Sequence, residues 1–149
     1  MYRKILVPVD GSEASRLGLQ EAIKLARDQD ATIRLVHVVD ELVITGGLGG
    51  ALAYAGDLVE NLRAGGREIL QKAEAALGQE GLICESALLE HVGGPASALI
   101  VEEAKRWPAE LIVLGTHGRR GIKRAVLGSD AEEIVRASPV PVLLVRSSG

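Results

Sequence analysis

The chain has 149 residues, 17 basic against 20 acidic side chains, a formal net charge of −3 and one cysteine, Cys84. That length fits one domain spanning residues 1–149, with a core that needs no covalent staples. A lone cysteine excludes an intramolecular disulfide and a Cys-rich zinc site, and interspersed charges of both signs argue against a nucleic-acid partner.

In chain order, Met1-Tyr2-Arg3-Lys4 leads into Ile5-Leu6-Val7-Pro8-Val9, a short run that reads as a buried strand. No signal-like segment intervenes, and no apolar run approaches the ~18 residues that cross a bilayer. The expectation is a cytoplasmic domain with no membrane partner. Asp10-Gly11-Ser12 ends the strand, and Ser12 is a natural N-cap. From Ser15 to Arg27, Leu17, Leu19, Ala22, Ile23, Leu25 and Ala26 recur at helical spacing. Thr32 to Val39 is a second strand, rich in β-branched residues, and a glycine-rich stretch, Gly46 to Gly50, follows it. Leu58 to Leu77 reads as a longer helix, with a kink or break expected at Gly65-Gly66, where each glycine costs ~1 kcal/mol. Leu82 to Leu89 is a third strand, Pro95 to Arg106 a helix with Pro95 in its first turn, and Leu111 to Leu114 a fourth strand. A short helix over Asp130 to Ala137 and a strand over Val140 to Val145 close the chain. With two Tyr, one Trp and no Phe, the core must be aliphatic.

Strict alternation of strand and helix implies an α/β fold with a parallel sheet covered on both faces. Pro8 has no N–H for the ladder, so it belongs where the chain is leaving the sheet. Ligands of such sheets bind beyond the carboxyl ends of the strands, where the strand order switches. Two ends carry suitable residues. One is Val9-Asp10-Gly11-Ser12. The other is Gly115-Thr116-His117-Gly118, followed by Gly128-Ser129 at the start of a helix. Glycines there let backbone N–H groups approach an anion, and a helix N-terminus favours negative charge. The plainer alternative is that these glycines only make tight turns. His117 either contacts a ligand or shapes the loop. His37 reads as a structural residue, Cys84 as a small buried hydrophobe, and Gly46 to Gly50 as either a flap or an ordinary loop.

Four segments together resemble the universal stress protein family, and the resemblance runs the length of the chain. They are Lys4 to Ser12, Leu111 to Gly118, the spacing Gly115-x2-Gly118-x9-Gly128-Ser129, and Pro139 to Val145. The spacing is similar to that of the family's ATP-binding branch. The resemblance implies an open five-stranded parallel sheet in the order 3-2-1-4-5, a Rossmann-like nucleotide-binding fold, and a homodimer. It implies that Pro8, Val9 and Asp10 line the adenosine, and that Val38 contacts the adenine. Gly115, His117, Gly118, Gly128 and Ser129 would surround the ribose and phosphates. The cofactor implied is ATP, with AMP or ADP as alternatives, and Mg2+ held mainly by the phosphates.

Asp130 departs from that pattern. A carboxylate there satisfies the helix dipole without a ligand and repels a nearby phosphate; alternatively it points away or helps hold a metal. Arg119, Arg120, Lys123 and Arg124 form a basic cluster that either offsets this charge or is a solvated face. No G-x4-G-K-S/T loop, G-x-S-x-G elbow or H-E-x-x-H motif is present. The expectation is a nucleotide-binding protein that is not an enzyme. A same-fold protein acting through contacts alone is the main alternative, and a slow ATPase the third. In the implied order the apolar strand Val140 to Val145 lies on a sheet edge. Pairing with its copy about a two-fold axis would cover that liability.

Overall fold

A computed structural model describes residues 1–40, 55–91, 94–116 and 127–146. The elements are β1 (Lys4–Pro8), α1 (Glu13–Gln29), β2 (Thr32–Asp40), α2 (Ala55–Gln79), β3 (Cys84–His91), α3 (Ala96–Arg106), β4 (Leu111–Gly115), α4 (Ser129–Ala137) and β5 (Val142–Val145). All five strands are parallel and lie in the order β3-β2-β1-β4-β5. The switch in order falls between β1 and β4.

Ile5, Leu6 and Val7 are successive and all fully buried, which only a strand covered on both faces can achieve. Alternation sends them to two separate cores. Ile5, Val7, Ile33 and Leu35 pack with Leu19, Ala22 and Ile23 of α1 and with Leu70 and Leu77 of α2. Leu6, Val36, Ile112 and Leu114 pack with Ile100, Val101 and Ala104 of α3 and with Ala131 and Ile134 of α4. Each such aliphatic side chain contributes about 1.5–3 kcal/mol on burial.

Ser12 caps α1, its hydroxyl accepting from the Ser15 N–H at 3.1 Å. The helix ends at Asp30, whose φ of 54° is left-handed. Pro8 closes β1. The Val9 N–H donates to the Val36 carbonyl on β2, so a donor at position 8 would face β4 instead. The β1–β4 partners are Ile5 with Leu111 and Leu6 with Ile112, while β4 runs on to Gly115. The missing donor thus falls where the two strands part.

Three expectations need correction. The helix expected to kink at Gly65-Gly66 runs unbroken from Ala55 to Gln79. Gly66 is buried where α2 crosses the sheet, and a Cβ there would lie 2.7 Å from both the His37 ring and a Leu88 methyl. Close packing, not helix weakness, accounts for it. The third strand starts at Cys84 rather than Leu82, because the Leu82 N–H turns back to the Leu77 carbonyl. The last strand starts at Val142 rather than Val140. Pro141 has no N–H to give, and Val140 and Ser138 bond to each other locally.

The two edges of the sheet differ in chemistry. On β3, Glu85 pairs with Arg34 at 2.9 Å and Glu90 with Arg63 at 2.7 Å. The Arg63 guanidinium holds the Glu90 carboxyl below its ordinary range, chiefly by the hydrogen bond. On β5, the four residues are Val142, Leu143, Leu144 and Val145, and Leu143 is exposed.

Candidate functional site

The site builds from the carboxyl ends of β1, β2 and β4 and the start of α4. At the β1 end the chain folds back on itself. Gly11 has a φ of 82°, a value side chains resist. An Asp10 carboxylate oxygen accepts from the Ser12 N–H at 2.8 Å. The Ser15 hydroxyl reaches the Asp10 N–H at 3.3 Å and donates to the Ser12 carbonyl at 3.1 Å. Glu13 follows in the first turn, its carboxyl held below the ordinary range by the hydrogen bond from Arg16. This half is a rigid, negatively charged turn.

Pro8 and Asp10 are half-buried here, whereas Val9 is buried. The Val9 side chain belongs to the α1–α2 core, so only its backbone faces the strand ends. Val38 packs on the opposite face, against the α3–α4 core. The pair therefore sits on two sides of the sheet.

At the β4 end, two glycines that look alike in sequence do different work. A Cβ on Gly115 would lie 2.2 Å from the Ala14 carbonyl oxygen and 2.4 Å from its carbon. Gly18 faces the same contact, 3.0 Å from the Gly115 nitrogen. Gly115 thus lets the first turns of α1 lie directly on β4, which brings the β1 turn beside the β4 end. Gly128 is different. Its φ of −59° and ψ of 151° suit any residue. Among the described residues, only the Thr116 carbonyl oxygen comes within 4 Å of a Cβ there, at 3.3 Å. That one contact is tight, but among the described residues packing asks far less of Gly128 than of Gly115.

Gly128 is the N-cap of α4, and no side chain caps it. Its N–H donates to the Thr116 carbonyl at 2.9 Å, and the Thr116 N–H donates to the Val145 carbonyl at 3.1 Å. Thr116 thereby ties the helix start to the end of β5. Ser129 and Asp130 are exposed on the first turn, which also carries Glu132. A helix N-terminus presents about half a unit of positive charge and up to four unspent N–H donors. The first turn thus holds two acidic residues, of which Glu132 is paired with Arg136 at 2.7 Å.

Pro8, Val9, Asp10, Val38, Gly115, Gly128 and Ser129 thus gather at one end of the sheet. His117 and Gly118 lie outside the described residues, as do Gly46 to Gly50 and the basic cluster from Arg119 to Arg124. Ser15 and Thr116 carry the local architecture without having been singled out. A Ser three residues after the N-cap was a legible signal for the first; the second acts through its backbone and leaves none. Among the described residues no group of three His, Cys, Asp or Glu could hold a metal ion, and no helix is long and apolar enough to cross a membrane. Cys84 stands apart on β3, its thiol pushed up to about 11 by burial and then by Glu74 and Glu85.

An open, doubly wound α/β protein with the β1 turn and the start of α4 at its switch point is the class that this fold and site define. Comparison with known proteins narrows it. The profile of the Universal stress protein family matches residues 1–146. Universal stress protein MJ0531 of Methanocaldococcus jannaschii is 35% identical, over 98% of this chain and 83% of its own. The crystal structure of a universal stress protein family member from Burkholderia pseudomallei is 31% identical. It superposes with a TM-score of 0.80, covering 98% of this chain and 97% of the other. A universal stress protein from Archaeoglobus fulgidus, solved in complex with dAMP, is 26% identical with a TM-score of 0.67, covering 96% and 97%. The chain belongs to the universal stress protein family.

Proposed function

We propose that this protein binds an adenine nucleotide, ATP foremost, across the ends of β1, β2 and β4, and holds it without efficient turnover. The observation that carries this reading is Gly128. A helix opens on a residue without a side chain at the switch in strand order, its backbone conformation does not require glycine, and among the described residues a Cβ there would press on the Thr116 carbonyl oxygen alone, at 3.3 Å. Room for a phosphate accounts for it. The dAMP complex of the Archaeoglobus fulgidus relative supports the adenine part. Mg2+ would be held by the phosphates. No step of hydrolysis is assigned, and the role we infer is stress response or signalling through the bound state. Calorimetry with ATP, ADP and AMP, with and without magnesium, tests this. Binding is expected, and the absence of both heat and thermal shift with all three would sink it.

A second reading, a protein of this fold acting through contacts alone, draws on Asp130 and Glu132, two acidic residues in the first turn of α4. The same titration separates the two.

We further infer a homodimer in which β5 pairs with its copy about a two-fold axis, because that edge carries only apolar side chains. Sedimentation at micromolar concentration should give twice the 15.7 kDa chain mass. Monomer alone would end the idea.

A further inference from the structure

His37 has no part in the site as built above. It lies on β2 one residue before Val38, and its imidazole turns toward α2. The ring Nδ1 is 2.8 Å from the Val9 carbonyl oxygen. A carbonyl only accepts, so Nδ1 carries the proton and donates. The Val9 N–H already donates to Val36 at 2.8 Å. Both polar groups of Val9 are therefore held by β2, one by backbone and one by the imidazole.

The ring has a fitted place. A Cβ on Gly66 would lie 2.7 Å from His37 Cδ2 and 3.2 Å from Nε2. The neighbouring Gly65 meets nothing within 4 Å among the described residues. Gly66 alone provides the socket, and it lies in the middle of an unbroken helix. A glycine there costs ~1 kcal/mol in helix propensity, so the space it leaves has a use.

Val9 immediately precedes Asp10, and Asp10-Gly11-Ser12 is the turn on the adenosine side. We propose that His37 is a positioning residue of the nucleotide site: it fixes the Val9 peptide, and so the direction in which Asp10 and its turn leave β1. This rests on the nucleotide reading above. The imidazole touches no ligand and acts only through Val9. Its loss therefore weakens the portion that AMP and ATP share. A change at Gly128, on the phosphate side, weakens ATP more than AMP. That difference separates positioning from general loosening of the fold.

The test uses the full chain. Nitrogen-15 NMR of the histidines reads the His37 tautomer, and calorimetry measures AMP and magnesium ATP. The variants are His37→Phe, which keeps a ring without the donor, His37→Asn, whose amide nitrogen can replace Nδ1, and Gly66→Ala, which fills the socket. The expected tautomer is Nδ1–H. His37→Phe and Gly66→Ala should lose about five- to tenfold in affinity, by the same factor for AMP and ATP, and His37→Asn should stay within about twofold. An Nε2–H tautomer overturns the proposal. So does unchanged affinity in His37→Phe, or an equal loss in His37→Asn, which would make ring volume the cause. Should the Phe variant fail to fold, the tautomer and the Asn variant decide. Wild-type protein that binds neither nucleotide overturns the nucleotide reading and this assignment together. Wild-type binding with no effect of the variants overturns this assignment alone.

Discussion

The two halves of the candidate site solve the same problem in opposite ways. The β1 turn is closed: Asp10, Ser12 and Ser15 spend their hydrogen bonds on one another. The β4–α4 half is open: Gly128 caps α4 without a side chain, and only backbone ties it to Thr116. A closed turn offers shape, and an open helix start offers donors. The contrast extends to the glycines: Gly115 serves the contact between the halves, while Gly128, among the described residues, meets only the Thr116 carbonyl.

Four substitutions would break or sharpen this contrast. The largest effect on stability is expected from Gly115→Ala, because a methyl 2.2 Å from the Ala14 carbonyl oxygen has nowhere to go. Denaturant unfolding should show a loss of about 3 kcal/mol. A variant within half a unit of wild type would mean that the halves are not held together there. Gly128→Val reverses the pattern. It should cost only about 1 kcal/mol of stability, yet weaken ATP by about a hundredfold or more, some 3 kcal/mol of binding. Unchanged affinity would assign the anion site elsewhere. Ser12→Ala removes the α1 cap and should lower stability by about 1 kcal/mol, measured by the unfolding midpoint; no shift would show the turn is held by Asp10 and Ser15 alone. Smallest is Asp130→Asn. Relief of repulsion at an exposed position is worth about 0.5–1 kcal/mol, so ATP should tighten about two- to fivefold and AMP less. Equal tightening of both would refute the repulsion.

Most of the fold could be read in advance, because parallel strands covered on both faces leave continuous apolar runs and helices between them leave a different period. Ile5 to Val7 and Leu111 to Leu114 announce themselves in this way. Two glycines were illegible for one reason: the role of each is set by a partner distant in sequence. Gly66 looked like a helix breaker because His37 and Leu88 are not its neighbours along the chain. The packing of Gly115 on Ala14 left no local trace, because Ala14 is about a hundred positions away. The Val9 side chain is core, as the alternation along β1 already implied, which leaves its backbone for the strand end. The start of β5 was a local error, since Pro141 carried the information. The spacing Gly115-x2-Gly118-x9-Gly128-Ser129 pointed to one end of the sheet but could not say which of its glycines bears on packing.

The unlike edges of the sheet set a limit on growth. An exposed strand end is a potential template, and a protein with two such edges can polymerise without bound. Here the outer strand β3 carries Glu85 and Glu90, each held by an arginine of its own chain, and a copy docking there would meet charged side chains on the edge. Only the β5 side is neutral. If β5 pairs with its copy as proposed, the molecule has a valence of one for edge pairing: the second copy completes the assembly, and a fibre would need the other edge to open its ion pairs.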